Sequence, residues 1–377
     1  MSIAPARVWW DWPARSRAEQ YTVGIEEEAM LLDPADWSLA HDSERVIEAL
    51  PEEVRERATP ETHKSALELA TGVHGDVRSA AAEMRALRRS LSGAVEPLGL
   101  AVASSGTHPC AVWQDTVVST GERYEFVYGS MRELARREPT FALHVHVGLA
   151  SPNDAVRLVN RMRAHLPLLL ALSVNSPFWQ GRDTGLASAR TPLFQAFPRV
   201  GIPRRFRDYP DYVDTVDLLM RCESLPDPTF LWWDVRPQPR FGTVEVRIMD
   251  AQATVGETAS LAALVQCIAR LEVECGYVSG RALEVPEVLD ENRFLAARDW
   301  MAADLIDVEL ERRVPARDVA LRLVEACAPH AAALSCEAEL DGVAAMAERT
   351  GADRQLELAR RGRKLTGLVE QLAALYV

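Results

Sequence analysis

The chain has 377 residues, a length for two or three ordinary domains or one large one. Lys plus Arg number 42 against 55 Asp plus Glu, a formal net charge of −13, which excludes the basic footprint of a nonspecific nucleic-acid binder. Hydrophobic residues are 48% and charged residues 26%, which excludes a disordered chain.

Residues 1–20 hold no apolar core of signal-peptide length. Their aromatic and basic stretch, Trp9 to Arg17, reads as an N-terminal arm, either mobile or docked on the surface. From Tyr21 to Leu32, period-two alternation predicts a strand with Val23, Ile25, Ala29 and Leu31 on one face and Glu26 and Glu28 on the other. The segment Glu61 to Glu68 adds two carboxylates, His63 and Lys64, before a turn near Gly72. Taken alone these are ambiguous, since surface acids are common. Asp76 to Leu98 reads as a helix. Phe141 to Gly148 alternates again, with Phe141, Leu143, Val145 and Val147 against His144 and His146. Ser151-Pro152-Asn153-Asp154 starts a helix expected to reach about Val174.

Asn175 to Pro210 and Leu225 to Gly242 are Pro- and Gly-rich connections, a kind that usually carries function. Within the first, Arg182 and Arg190 could grip a carboxylate as bidentate partners, or pair with local acids. Gly242 to Asp250 is a third alternating strand, with Val244, Val246 and Ile248 against Thr243, Glu245 and Arg247. Gly256 to Gly280 reads as a buried helix, and the chain from about Glu287 on reads as helical. No apolar run reaches the ~20 residues of a membrane span. The six cysteines form no CxxC pair, so free thiols and a cytoplasmic setting are expected, with Cys267 and Cys275 as core.

The three strands share one property. A wet strand face should mix Thr, Ser, Lys and Gln, yet these carry carboxylates, imidazoles and a guanidinium, the groups that bind divalent cations and phosphate. Two like charges ~4 Å apart repel by about 4 kcal/mol at an effective dielectric of ~20, and a bound cation reverses that cost. An oxygen-rich set with imidazole suits Mg²⁺ or Mn²⁺. Arg247 beside Glu245 adds a fork for phosphate oxygens. No P-loop, GxGxxG or Gly-x-Ser-x-Gly motif occurs.

Several motifs together resemble a known family. They are Thr22-Val-Gly-Ile-Glu-Glu-Glu28, His144-Val-His-Val-Gly148, Asn175 to Gly185, Trp232 to Arg247, Asp290 to Arg298, and Gly351-Ala-Asp-Arg-Gln355. In order, they are similar to those of the bacterial carboxylate–amine ligases of the glutamate–cysteine ligase type 2 family. The resemblance implies an α+β, glutamine-synthetase-like fold, in which a curved antiparallel sheet backed by helices holds ATP and Mg²⁺ on its concave face. It implies that ATP phosphorylates a substrate carboxylate and that an amine attacks the acyl phosphate. The family's usual pair is glutamate and cysteine.

By matching position, the resemblance makes Glu26, Glu28, Glu68 and Glu245 metal ligands, with Glu61 and His144 or His146 as further candidates. Arg247, with Thr243 and Lys64, falls on the ATP side. Arg182, with Asp183 and Arg190, falls on the substrate side. Glu27 or Asp183 could serve as general base, although Glu27 points to the apolar face, where an ion pair fits as well. The expected organisation is the arm at 1–20 and a single catalytic domain over 21–377, helix-rich from about 287. Small-molecule acid and amine substrates are expected, with no nucleic acid and no membrane, and the long apolar helices are compatible with a homodimer. The alternatives are a metal-dependent amide hydrolase and a noncatalytic binding relative.

Overall fold

The computed structural model describes residues 8–16, 19–136, 139–362 and 364–377. Its centre is an antiparallel sheet whose strands form wherever β-branched and apolar residues alternate with polar ones. In chain order these are β1 (Val23–Asp33), β2 (Ser38–Leu39), β3 (Ala58–Pro60), β4 (Ala66–Ala70), β5 (Ala101–Ala103) and β6 (Ala142–Gly148). After β6 come a hairpin of β7 (Phe178–Trp179) and β8 (Arg182–Asp183), then a parallel pair of β9 (Val200–Gly201) and β10 (Trp232–Trp233). Strands β11 (Val235–Gln238) and β12 (Thr243–Asp250) rejoin the main sheet, and a hairpin of β13 (Asp304–Asp307) and β14 (Arg312–Pro315) stands apart. The main sheet runs β11-β12-β6-β1-β4-β3, with β2 and β5 also paired to β1.

One face is apolar. Val23, Ile25, Ala29, Leu31, Leu143, Val145, Val147, Val244 and Val246 are buried in a cluster that also contains residues of the Val77–Val95 and Val255–Glu274 helices. That second helix is buried nearly all round, which its continuous apolar sequence dictates. The cluster extends to Leu323, Leu340, Val343 and Tyr376 of the C-terminal helices. On the other face, beyond Glu28, Met30 and Leu32 are covered by Val369 and Leu372 of the final helix, so only part of that face is open.

Three expectations need correction, and one left open is decided. The apolar run after Ser151 forms two helices, Pro152–Met162 and Leu166–Ser173, because Pro167 restarts the helix in its first turn. The C-terminal part is interrupted by the β13–β14 hairpin. All six cysteines are free; Cys267 is buried, but Cys275 lies at a helix end and is exposed. Described residues of the N-terminal arm are docked rather than mobile; residues 1–7, 17 and 18 lie outside the described residues. Trp9 Nε1 donates to Asp217 (2.9 Å), Trp12 Nε1 to the Leu149 carbonyl (2.9 Å) and Arg15 Nη2 to the Phe241 carbonyl (2.6 Å). Gly242, at φ +66°, leaves room for Pro13, which an added Cβ would meet at 2.6 Å. The arm therefore braces the β11–β12 turn. Trp12→Ala should cost about 2 kcal/mol in a denaturant titration, part of the full indole truncation, since Trp12 is only half-buried. A variant that unfolds like the parent would mean that the arm contributes nothing.

No helix among the described residues is long and apolar enough to cross a membrane.

Candidate active site

Strand register gathers the candidate side chains on the open face. Glu26 of β1 lies opposite His144 of β6, Glu28 opposite Glu68 of β4, and Glu245 of β12 opposite His146 of β6. Directly opposed residues project to the same side. Three overlapping groups result: Glu26, Glu68 and His144; Glu26, His146 and Glu245; Glu28, Glu61 and Glu68. Within each, one ligand atom per residue lies within 4.8 Å of the others. They form part of the wall of a cavity of about 550 Å³.

The cluster divides electrostatically. Glu245 Oε2 accepts from Arg236 Nε at 2.7 Å, and Oε1 accepts from Arg236 Nη2 at 3.2 Å and also from Arg247 Nη1. Burial opposes its ionisation, but Arg236 and then Arg247 hold the carboxyl well below the usual range. Glu26 Oε1 lies 3.2 Å from His146 Nε2, and its Oε2 3.4 Å from His144 Nδ1. Burial works against its charge as well, yet His146 keeps it lowered. His146 is raised by Glu26 and Glu245 against its burial, whereas burial and then Arg247 push His144 down to about 4. On the far side, burial and the Glu61 charge push Glu28 up to about 8. Burial and the charges of Glu26 and Glu61 raise Glu68, and burial raises Glu61. Without a cation this side keeps protons that a hard divalent ion would displace. His146 Nε2 is shut off from solvent with no aligned hydrogen bond. Carboxylate oxygens in excess, with two imidazoles among them, fit Mg²⁺ or Mn²⁺.

This division predicts a pH dependence. Unfolded, the Glu28 carboxyl ionises near its ordinary 4.5; folded and metal-free, it keeps its proton to about 8. Between pH 7 and 8 the folded chain binds more protons than the unfolded one, so its stability falls as pH rises. The raised His146 acts in the same direction. Mn²⁺ should therefore raise the melting temperature of EDTA-treated protein more at pH 8 than at pH 7. Equal shifts at both values would contradict the protonated Glu28 side.

Other candidates fall differently. Arg247 lines the cavity from a register irregularity in β12, with its backbone N–H donated to the Asp234 carbonyl at 2.8 Å and its Nε unpartnered. Arg190 also lines it, but its Nη1 and Nη2 donate to the Ile248 and Arg247 carbonyls (3.0 and 3.2 Å), so it braces β12. Thr243 Oγ1 sits 3.0 Å from His146 Nδ1 and sets that ring rather than forming the wall. Lys64 pairs with Glu44 at 3.0 Å and does not reach the cavity, because its chain position turns it outward. Arg182 and Asp183 sit on the exposed β8, off the cavity, because the tight β7–β8 turn carries them to the surface. Glu27 is on the opposite face, bound to Arg88 at 2.8 and 2.9 Å, which removes it as a base.

Sequence reasoning missed Arg236, Arg123, Tyr124, Arg240 and Phe241, all of which line the cavity. The alternation of Asp234, Arg236 and Gln238 before β12 could have found Arg236. Arg123 and Tyr124 lie on the Glu122–Met131 helix, which has no local signal. Arg123 stacks on Phe230 (4.5 Å) and donates to Thr229 Oγ1 (2.9 Å), which leaves further N–H groups for a ligand.

Carboxylates and imidazoles on one face of an antiparallel sheet, flanked by arginines, are groups of the kind that can hold a divalent cation and phosphate. The chain belongs to the glutamate–cysteine ligase family 2, whose model matches residues 22–374. It is 40% identical over 342 residues to a Rubrobacter xylanophilus protein with the provisional name glutamate–cysteine ligase 2-1, covering 90% of each chain. It is 37% identical over 357 residues to a Sorangium cellulosum protein provisionally named glutamate–cysteine ligase 2, covering 94% of this chain and 95% of that one. Its fold is similar to that of glutamate–cysteine ligase from Francisella tularensis, solved in complex with AMP. There the TM-score is 0.69 at 13% identity, covering 95% of this chain and 89% of the other.

Proposed function

We propose that this chain is an ATP-dependent carboxylate–amine ligase that forms an amide through an acyl phosphate, with glutamate and an amine such as cysteine as the starting pair to test. The observation that carries the reading is the overlapping set of carboxylate and imidazole groups beneath Arg247 on one sheet face. Membership of a family of that name supports it, as does the likeness in fold to a ligase crystallised with AMP.

Glu26, Glu28, Glu61, Glu68 and Glu245, with His144 or His146, would hold Mg²⁺ or Mn²⁺, which supplies charge neutralisation and polarises the transferring phosphoryl group. The protein's own part is positioning. Arg247 lines the cavity, where its guanidinium would offer N–H donors to phosphate oxygens, and Arg190 holds the strand that carries it. Arg123 is placed to take a substrate carboxylate. Phe194, Phe197, Trp232 and Phe241 line the same cavity and limit the water that could hydrolyse an acyl phosphate. On this reading residues 21–377 act as one catalytic domain, in a cytoplasmic setting where ATP is supplied and thiols stay reduced.

The test is ADP release with a panel of amino acids and amines in Mg²⁺ or Mn²⁺. Stimulation by one acid–amine pair is expected, and Arg123→Ala should raise the KM of the acid or the amine roughly 10-fold or more, as loss of a charged hydrogen bond would. If no pair stimulates ADP formation, the ligase reading fails and a hydrolase using the same cations takes its place.

A further inference from the structure

Beside the carboxylate cavity lies a second one of about 240 Å³, walled by Trp113, Trp179, Leu134, Leu193, Ala196 and Phe197, with Gln180 as its polar member. Phe197 also lines the carboxylate cavity, so the two spaces share a wall. The β7–β8 turn shapes this end. Gln180 and Gly181 have φ values of 51° and 76°, as a tight hairpin turn of matching twist requires. Glycine adopts this conformation freely, but for glutamine it costs about 1 kcal/mol. The strained turn places the Gln180 side chain at the cavity. Its Nε2 is shielded from solvent and has no acceptor, a donor left in want of a partner. Trp179 and Arg182 are directly opposed across the hairpin, so their side chains leave the same face. Arg182 is exposed, and no acid among the described residues pairs with it.

We infer that this cavity is the side-chain subsite for an amine substrate that is an α-amino acid with an apolar side chain, its carboxylate held by Arg182 and the Gln180 amide. The inference rests on the ligase reading above. The carboxylate cavity mixes aromatic rings with many charged groups, whereas the second cavity has no charged residue in its wall. Across Phe197 the walls are indole and aliphatic, Gln180 brings an amide donor without an acceptor, and Arg182 leaves the hairpin on the same face as Trp179. Arg182 thus keeps a substrate role, outside the cation cluster.

The experiment uses the full chain with Mg²⁺, ATP and glutamate. It compares alanine, leucine, phenylalanine and leucinamide as amines by ADP release, and their binding by calorimetry with a nonhydrolysable ATP analogue. Leucine or phenylalanine should have a KM roughly 10-fold or more below that of alanine, the scale of discrimination an apolar pocket achieves. Ala196→Trp, which fills the cavity, should erase that preference with the KM for ATP unchanged. Trp179→Ala, which enlarges it, should shift preference toward phenylalanine. Arg182→Ala should weaken leucine but not leucinamide. ADP release that is indifferent to side chain and to all three variants overturns the subsite and leaves the ligase reading standing. Leucine binding that Ala196→Trp abolishes, in a protein that releases no ADP with any pair, upholds the subsite and overturns the ligase reading.

Discussion

Glu245→Gln is expected to lower ADP release by about 10²- to 10³-fold, the loss seen when one preorganised electrostatic group is removed from a transition state. One carboxylate here performs several tasks. It accepts from Arg236 and Arg247 together, it keeps His146 raised, and it contributes a ligand atom to one of the cation groups. A neutral amide keeps one acceptor oxygen for the guanidinium groups but carries no charge to offset two buried cations. Part of the effect should therefore appear as stability. Leaving a buried charge without its partner costs about 3–5 kcal/mol, so truncation to Ala should melt at clearly lower temperature than Gln. Melting curves beside kinetics separate the two contributions. A Glu245→Gln enzyme with near-normal turnover would remove this residue from the site.

The largest stability effect is expected at Glu27→Ala, about 3–5 kcal/mol. Glu27 is 2% exposed and Arg88 is fully buried. Besides its two bonds to Glu27, Arg88 donates to the carbonyls of Gln252 (2.9 Å), Ala253 (3.1 Å) and Tyr376 (3.1 Å) and stacks on the Tyr376 ring. Glu27 also accepts from Thr258. This one ion pair links the first strand, two helices and the end of the chain. Removing the carboxylate strands a guanidinium in the core. The double change Glu27→Leu with Arg88→Met should recover most of the loss, because apolar groups of similar volume replace a buried pair with little net cost. Turnover of Glu27→Ala, measured where the protein is still folded, should stay within a few-fold of the parent. A large loss of turnover without a loss of stability would restore Glu27 as a base.

The open face of the sheet was legible before any coordinates because a strand's side-chain period is two. Glu26 with Glu28, His144 with His146, and Glu245 with Arg247 must each leave their strand on one side, and the apolar residues between them show which side faces the core. Arg182 shows the limit of this reading. Its neighbourhood is Gly-rich and lacks a period, so nothing in it indicates that a two-residue turn carries it outward, away from the carboxylates. Lys64 failed for a similar reason: it lies between strands, where a local acid, Glu44, captured it.

By itself the sequence determined which residue types share a face, and with them the chemistry the face can perform, since alternation is a property of a single strand. Only the tertiary structure decided which faces meet. The pairing of β6 with both β1 and β12 places His146 beside Glu26 and Glu245, and the packing of the Glu122–Met131 helix brings Arg123 to the same cavity. Such partners depend on register and long-range packing, and those are settled by burial of the opposite, apolar face over the whole domain rather than by any local pattern.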